Sequence, residues 1–142
     1  MEKLTEIIEK EYQLLKEMVR LAEEQKNALV HYDINSVERI TMKLNEVAKE
    51  LKNYENERIN VLVNDVKLTR RQALTVKMTE LTELLNISEE TDRKREEMLL
   101  LIEKLASLNS LNKLLTNRAL SSINEILSTL SNSNNSVCNV RV

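Results

Sequence analysis

The chain has 142 residues, 21 of them basic and 23 acidic, with three aromatic side chains that are all tyrosine and neither glycine nor proline. Average usage would supply about seventeen glycines and prolines at this length, so their absence excludes tight hairpins, glycine-rich phosphate loops and most sheet architectures. Charge of both signs mixed along the chain leaves no single-signed field to gather nucleic acid or anionic lipid.

Leucine, abundant beside Glu and Lys, does the burying that aromatics usually do, which is the composition of coiled coils and extended bundles. The longest uninterrupted apolar run, 98–102, is too short to cross a bilayer, and the opening MEKLTEIIEKEY reads as no signal peptide. One cysteine, Cys138, forms neither an internal disulfide nor a thiolate metal site. A soluble cytoplasmic protein without membrane insertion is expected.

Apolar residues recur at helical spacing from Leu4 through Ile7, Ile8, Leu14, Leu15, Met18, Leu21, Ala22, Ala28 and Leu29 to Tyr32, predicting a first helix over about 3–31. A corner follows at 31–36, where Asp33 and Asn35 are good N-cap residues and Asn35 stands three before Glu38 in capping-box spacing. The second helix, 35–66, carries an a/d seam of Val37, Ile40, Leu44, Val47, Leu51 and Tyr54, which Arg58 interrupts and Val61 resumes. So short a corner makes the two helices an antiparallel hairpin.

Periodicity weakens over 64–88, where threonines at 69, 75, 79 and 82 lower helix propensity. A short connector helix is predicted at 71–86, capped by Thr69, with Leu74, Met78, Leu81 and Leu85 on one face. Ser88 opens the last helix, 88–131, supported by Glu89–Arg93 and Glu90–Lys94 pairs. The residues 132–142 are polar and low in complexity, and a disordered tail is expected. The expected fold is therefore all-α: an elongated antiparallel bundle or coiled coil of three long helices plus a connector helix, forming one helical domain over 1–131.

Nothing in the chain assembles an active site, and neither enzymatic activity nor a metal or other cofactor is expected. His31 is the only histidine, which excludes the paired Glu-x-x-His motifs of di-iron bundles, and at a corner it reads as a solvent-facing or cap-adjacent residue. Adjacent acidic pairs such as Glu23 with Glu24 do not face each other on a helix. The basic clusters at 67–71 and 93–95 read as helix-end and solubility charges.

The last helix carries more information. At about 100° per residue, Met98, Leu101, Ile102, Leu105, Leu108, Leu115, Ala119, Leu120, Ile123, Ile126, Leu127 and Leu130 form one broad stripe. Asn109, Asn112 and Thr116 fall inside it as a polar layer, which either fixes register or oligomeric state or simply bonds to neighbouring helices. Leu100, Leu111 and Leu114 project to the opposite side with Arg118, and Leu111 and Leu114 make a small apolar patch suited to a partner.

The run EQKNALVHYDINSVERITMKLNEVAKELKNYENER, 24–58, resembles the N-terminal signature of the FlgN family of flagellar export chaperones. Glu24, Gln25, Ala28, Leu29, Asp33, Lys43, Leu44, Leu51, Glu55 and Arg58 occupy the family's places. The segment 105–130 resembles its C-terminal helix, with Asn109, Asn112, Leu114 and Leu115 matching an N-x-x-N-x-L-L element. The connector 64–90 is only loosely similar, and the asparagine-rich tail departs from the pattern.

The resemblance implies a cytoplasmic chaperone that binds the C-terminal regions of the hook-filament junction proteins FlgK and FlgL before export. It would hold those helix-forming segments unassembled and deliver them to the flagellar type III export apparatus. Candidate partner-binding residues are Leu100, Asn109, Leu111, Asn112, Leu114, Leu115 and Arg118. The alternative is a structural coiled-coil adaptor acting through self-association, and homo-oligomerisation stays open under either reading.

Overall fold

The computed structural model describes residues 2–75 and 89–138, and all of its regular structure is helical. Helix α1 spans Glu2–Val30, α2 Ile34–Asn64, α3 Arg70–Thr75 and α4 Glu89–Cys138. Periodic leucine and isoleucine with good helix formers between them sustain these lengths, and no residue interrupts the backbone ladder.

The corners show how a chain without glycine reverses. Tyr32 takes the left-handed conformation, φ 54°, just past the end of α1. Its N–H donates to the Leu29 carbonyl (3.2 Å) and that of Asp33 to the Ala28 carbonyl (2.9 Å), the bonding pattern of a Schellman cap. Asp33 then caps α2, accepting from the Ser36 amide (3.2 Å) and hydroxyl (2.6 Å), bonds that hold its carboxyl below the usual aspartate range. Asn35, the other N-cap expected from sequence, lies inside α2, because Asp33 already supplies the capping oxygen.

At the far end Lys67 is likewise left-handed, φ 65°, and the Leu68 N–H returns to the Leu62 carbonyl (3.0 Å). Thr69 caps α3 as predicted and forms a reciprocal box with Gln72: the Gln72 amide donates to Thr69 Oγ1 (3.1 Å) and the Thr69 amide to Gln72 Oε1 (2.9 Å). Of the connector face, Leu74 is exposed and Ala73 is buried instead. The α3 helix sits close against the main core, where a methyl fits better than a leucine. Met78, Leu81 and Leu85 lie outside the described residues.

Helix α1 is the central element. It packs along α2 on one side and α4 on the other, while no Cα of α2 comes within 8 Å of one in α4. The hairpin is antiparallel: Gln25 Nε2 donates to Thr41 Oγ1 (3.1 Å) near the corner, and Glu11 meets Arg58 (3.1 Å) at the far end. The predicted α2 seam faces α1, with Ile40 buried beside Val37, Leu44 and Val47 against Leu21 and Ala28, and Leu51 and Tyr54 at the edge of the main core. That core collects Leu4, Ile7, Ile8 and Leu15 of α1 with Ile59, Val61 and Leu62 of α2 and Met98 of α4.

Arg58, which interrupts the seam, is answered by Glu11, 6% exposed on α1. The two charges are in contact, but Arg58 Nε and Glu11 Oε1 are misaligned for a hydrogen bond and neither atom has another partner. Burial raises the Glu11 carboxyl above the usual glutamate range; the Arg58 guanidinium opposes that shift, and Glu55 reinforces it.

Candidate partner-binding surface

The α1–α4 seat is thin in apolar material and rich in polar contacts. Its core is Val19 and Ala22 of α1 with Leu108 of α4, flanked by Leu101 and Leu105. Along the edge Lys94 pairs with Glu9, Tyr12 donates to Glu97 (2.5 Å) and Lys104 pairs with Glu23 (2.8 Å). The Lys94 ammonium lowers the Glu9 carboxyl and Lys104 lowers that of Glu23, each chiefly through its hydrogen bond. Lys94, predicted to pair within its own helix with Glu90, thus reaches across to α1.

Asn112 closes this seat. It is 4% exposed, and its Nδ2 donates to the Ala22 carbonyl and to Gln25 Oε1, both at 3.0 Å. The polar layer therefore bonds to the neighbouring helix at Asn112, the simpler of the two sequence readings. Thr116 only returns a bond to the Asn112 carbonyl (2.8 Å), and Asn109 is exposed. Asn109 lies outside the seat because, among the described helices, only α1 runs along this part of α4, and one helix buries a narrower sector than the broad predicted stripe.

The covered part of the stripe is also shorter than the sequence predicts. The Glu9–Lys94, Tyr12–Glu97 and Gln25–Asn112 pairs make α1 and α4 parallel, so Val30 at the end of α1 lies alongside the turn near Thr116. The next half of the stripe, Leu120, Ile123, Ile126, Leu127 and Leu130, outruns α1 and is 37–59% exposed. Ile102 is exposed too, at the edge of the seat. Helix α4 continues to Cys138, past the end expected near 131 and through part of the predicted tail. Asparagine and serine weaken a helix, but neither breaks one as proline would.

Leu100, Leu111 and Leu114 face solvent on the far side of α4, at 65%, 39% and 47% exposure. Leu115 is half-buried at the end of the seat and Arg118 is exposed. These candidates are not an isolated patch. Residues four apart form a ridge that advances about 40° per step around a helix, and Leu111, Leu115, Ala119, Ile123 and Leu127 are one such ridge. It winds from the outward leucines onto the uncovered stripe. Helical spacing alone places the outer residues of this stripe in the core; only the length of α1 and the parallel register show that no described helix covers them.

His31 is exposed, and its Nδ1 donates to the Asn27 carbonyl (2.7 Å) at the end of α1. The Cys138 side chain lies outside the described residues. A shallow cleft at the hairpin end carries Arg20, Arg39 and Lys43 beside Glu24 and Asp33, and Arg20 is held by Glu17 and Glu24 at 2.5 Å each. Among the described residues no group of three or more His, Cys, Asp or Glu side chains is placed to hold a metal, and no helix is long and apolar enough to cross a membrane.

No curated protein and no solved structure matches this chain. The model of the FlgN protein family matches residues 1–140, nearly the whole length. With three long helices, a bare apolar ridge and a match of that extent, the chain belongs to the FlgN family of flagellar export chaperones.

Proposed function

We propose that this chain is a cytoplasmic chaperone that binds the C-terminal regions of the hook-filament junction proteins FlgK and FlgL, keeps them unassembled and delivers them to the flagellar export apparatus. One observation carries the reading: the apolar stripe of α4 continues beyond α1 with exposed side chains and, among the described residues, no helix against it. A surface of this kind accepts the apolar face of an amphipathic helix, anchored at positions three and four apart.

The cargo helix lies along the ridge from Leu111 and Leu115 to Ile123 and Leu127. Leu100 and Leu114 border it on the outward side, and Arg118 and Asn109 supply polar contacts at its margin. Asn112 contributes by holding α4 to α1, which fixes where the ridge begins.

The test is titration of purified FlgK or FlgL with the chain and with two double variants, Ile123→Ser with Leu127→Ser and Leu111→Ser with Leu114→Ser. Loss of two half-buried anchors weakens binding on the order of tenfold to a hundredfold. All four side chains are exposed in the free chain, so helicity is retained. Undiminished binding by both variants would remove this surface from the reading, and no binding by the parent chain would remove the cargo.

A further inference from the structure

The geometry points to Gln25 as a positioning residue for α4: its side-chain amide ties α4 to α2 through α1 and so sets the direction in which the overhang leaves the bundle. Gln25 stands on α1 near the corner and bonds to both neighbouring helices at once. Its Nε2 donates to Thr41 Oγ1 of α2 (3.1 Å), and its Oε1 accepts from Asn112 Nδ2 of α4 (3.0 Å). Among the described residues no Cα of α2 lies within 8 Å of one in α4, so a side chain of α1 has to bridge them here.

Each bond of this relay has only one possible direction. Asn112 must present its NH2 group, because it also donates to the Ala22 carbonyl (3.0 Å), which has no proton to give. Gln25 must then turn its carbonyl to Asn112 and its NH2 to Thr41. Thr41 is free to accept, since its own hydroxyl proton goes to the Val37 carbonyl (2.7 Å). Asn112, Gln25, Thr41 and Val37 thus form one chain of donors and acceptors, and the Gln25 amide is its middle link.

Neither end of the relay is placed to add much stability. Asn112 Oδ1 is buried without a partner among the described residues, and an apolar side chain of similar size would suit the neighbouring Val19, Ala22 and Leu108 better. Thr41 is exposed, where water competes for its bond. What the relay supplies is direction. Helix α4 is fixed to the main core at Met98 and to the relay at Asn112, about 21 Å further along. A displacement at Asn112 that pivots about Met98 is roughly doubled at Leu130, about 27 Å beyond. The relay therefore governs how the apolar ridge is presented to cargo. That last step rests on the cargo reading; the relay itself does not.

The measurement is made on the chain alone, from the side-chain amide signals of Gln25 and Asn112 in proton–nitrogen NMR spectra and from their exchange with water. In Thr41→Val, which removes the acceptor on α2, the Asn112 amide signal is expected to shift and its exchange to quicken by about twofold or more, although Thr41 and Asn112 share no bond. Thr41→Ser keeps the hydroxyl and leaves both signals in place. In a Gln25→Leu background Thr41→Val no longer moves Asn112. Thr41 is exposed, so its variants fold, with helicity by circular dichroism as the control. A merely local role for Thr41 would alter the Gln25 signal and leave Asn112 unmoved, and that result overturns the inference. So does an Asn112 response that persists in the Gln25→Leu background, or a Thr41→Ser variant that behaves as Thr41→Val does.

Discussion

Single residues of this chain do structural work at the places where the helical pattern breaks. Arg58 interrupts a hydrophobic seam, and the cost of burying it is met by Glu11 from the facing helix. Removing one partner strands the other charge, so Arg58→Met is expected to cost about 3 kcal/mol in chemical denaturation. Replacing both, Glu11→Leu with Arg58→Leu, is expected to be near neutral or stabilising. The pH dependence has a definite sign. Because the folded Glu11 carboxyl is raised, the native state binds its proton more tightly than the unfolded chain does. Its contribution is complete below the ordinary glutamate range and fades as pH rises through the raised value. The Arg58→Met penalty should therefore shrink on acidification; a penalty that stays constant down to mild acid would contradict a stranded carboxylate.

At the scale of the element, each helix end is built without glycine. The left-handed conformation at Tyr32 costs an L-residue about 1–2 kcal/mol, and that residue is largely exposed. Tyr32→Gly is expected to stabilise the hairpin by about 1 kcal/mol in thermal or urea unfolding; a destabilised variant would show that the tyrosine ring contributes more than its backbone costs. The caps themselves were readable: Asp33 and Thr69 are short polar residues set just ahead of an apolar periodicity. The face of α3 was not, because Ala73 and Leu74 are neighbours in sequence and the choice between them is made by how closely α3 approaches the core.

For the whole molecule, the arrangement of three long helices leaves α4 unequally supported. Its first half is held to α1 by a small core, a buried asparagine and cross-helix pairs, whereas the part beyond Arg118 has no neighbouring helix among the described residues. An unpacked helix gains little from its own hydrogen bonds in water. Amide exchange at low protein concentration should accordingly show strong protection in α1, moderate protection over 98–115 and rapid exchange over 119–132. Uniform protection along α4 would mean that this overhang is packed within one chain.

Sequence by itself determined that this protein is helix throughout its long segments, that α1 and α2 form a hairpin, and which face of α2 is apolar. The reason is local: helical spacing, polar caps and the lack of glycine and proline act within a few turns of the chain. The outward leucines at 100, 111 and 114 were legible for the same reason, as they fall off the apolar stripe of their own helix. Tertiary structure alone decided that Asn112 is a clasp and Asn109 is not, that Glu11 answers Arg58, and that the stripe from Leu120 to Leu130 is uncovered. Each of these depends on where a second helix lies and where it stops. A stripe of leucines looks the same in sequence whether it is core or docking surface, and here the end of α1 at Val30 separates the two.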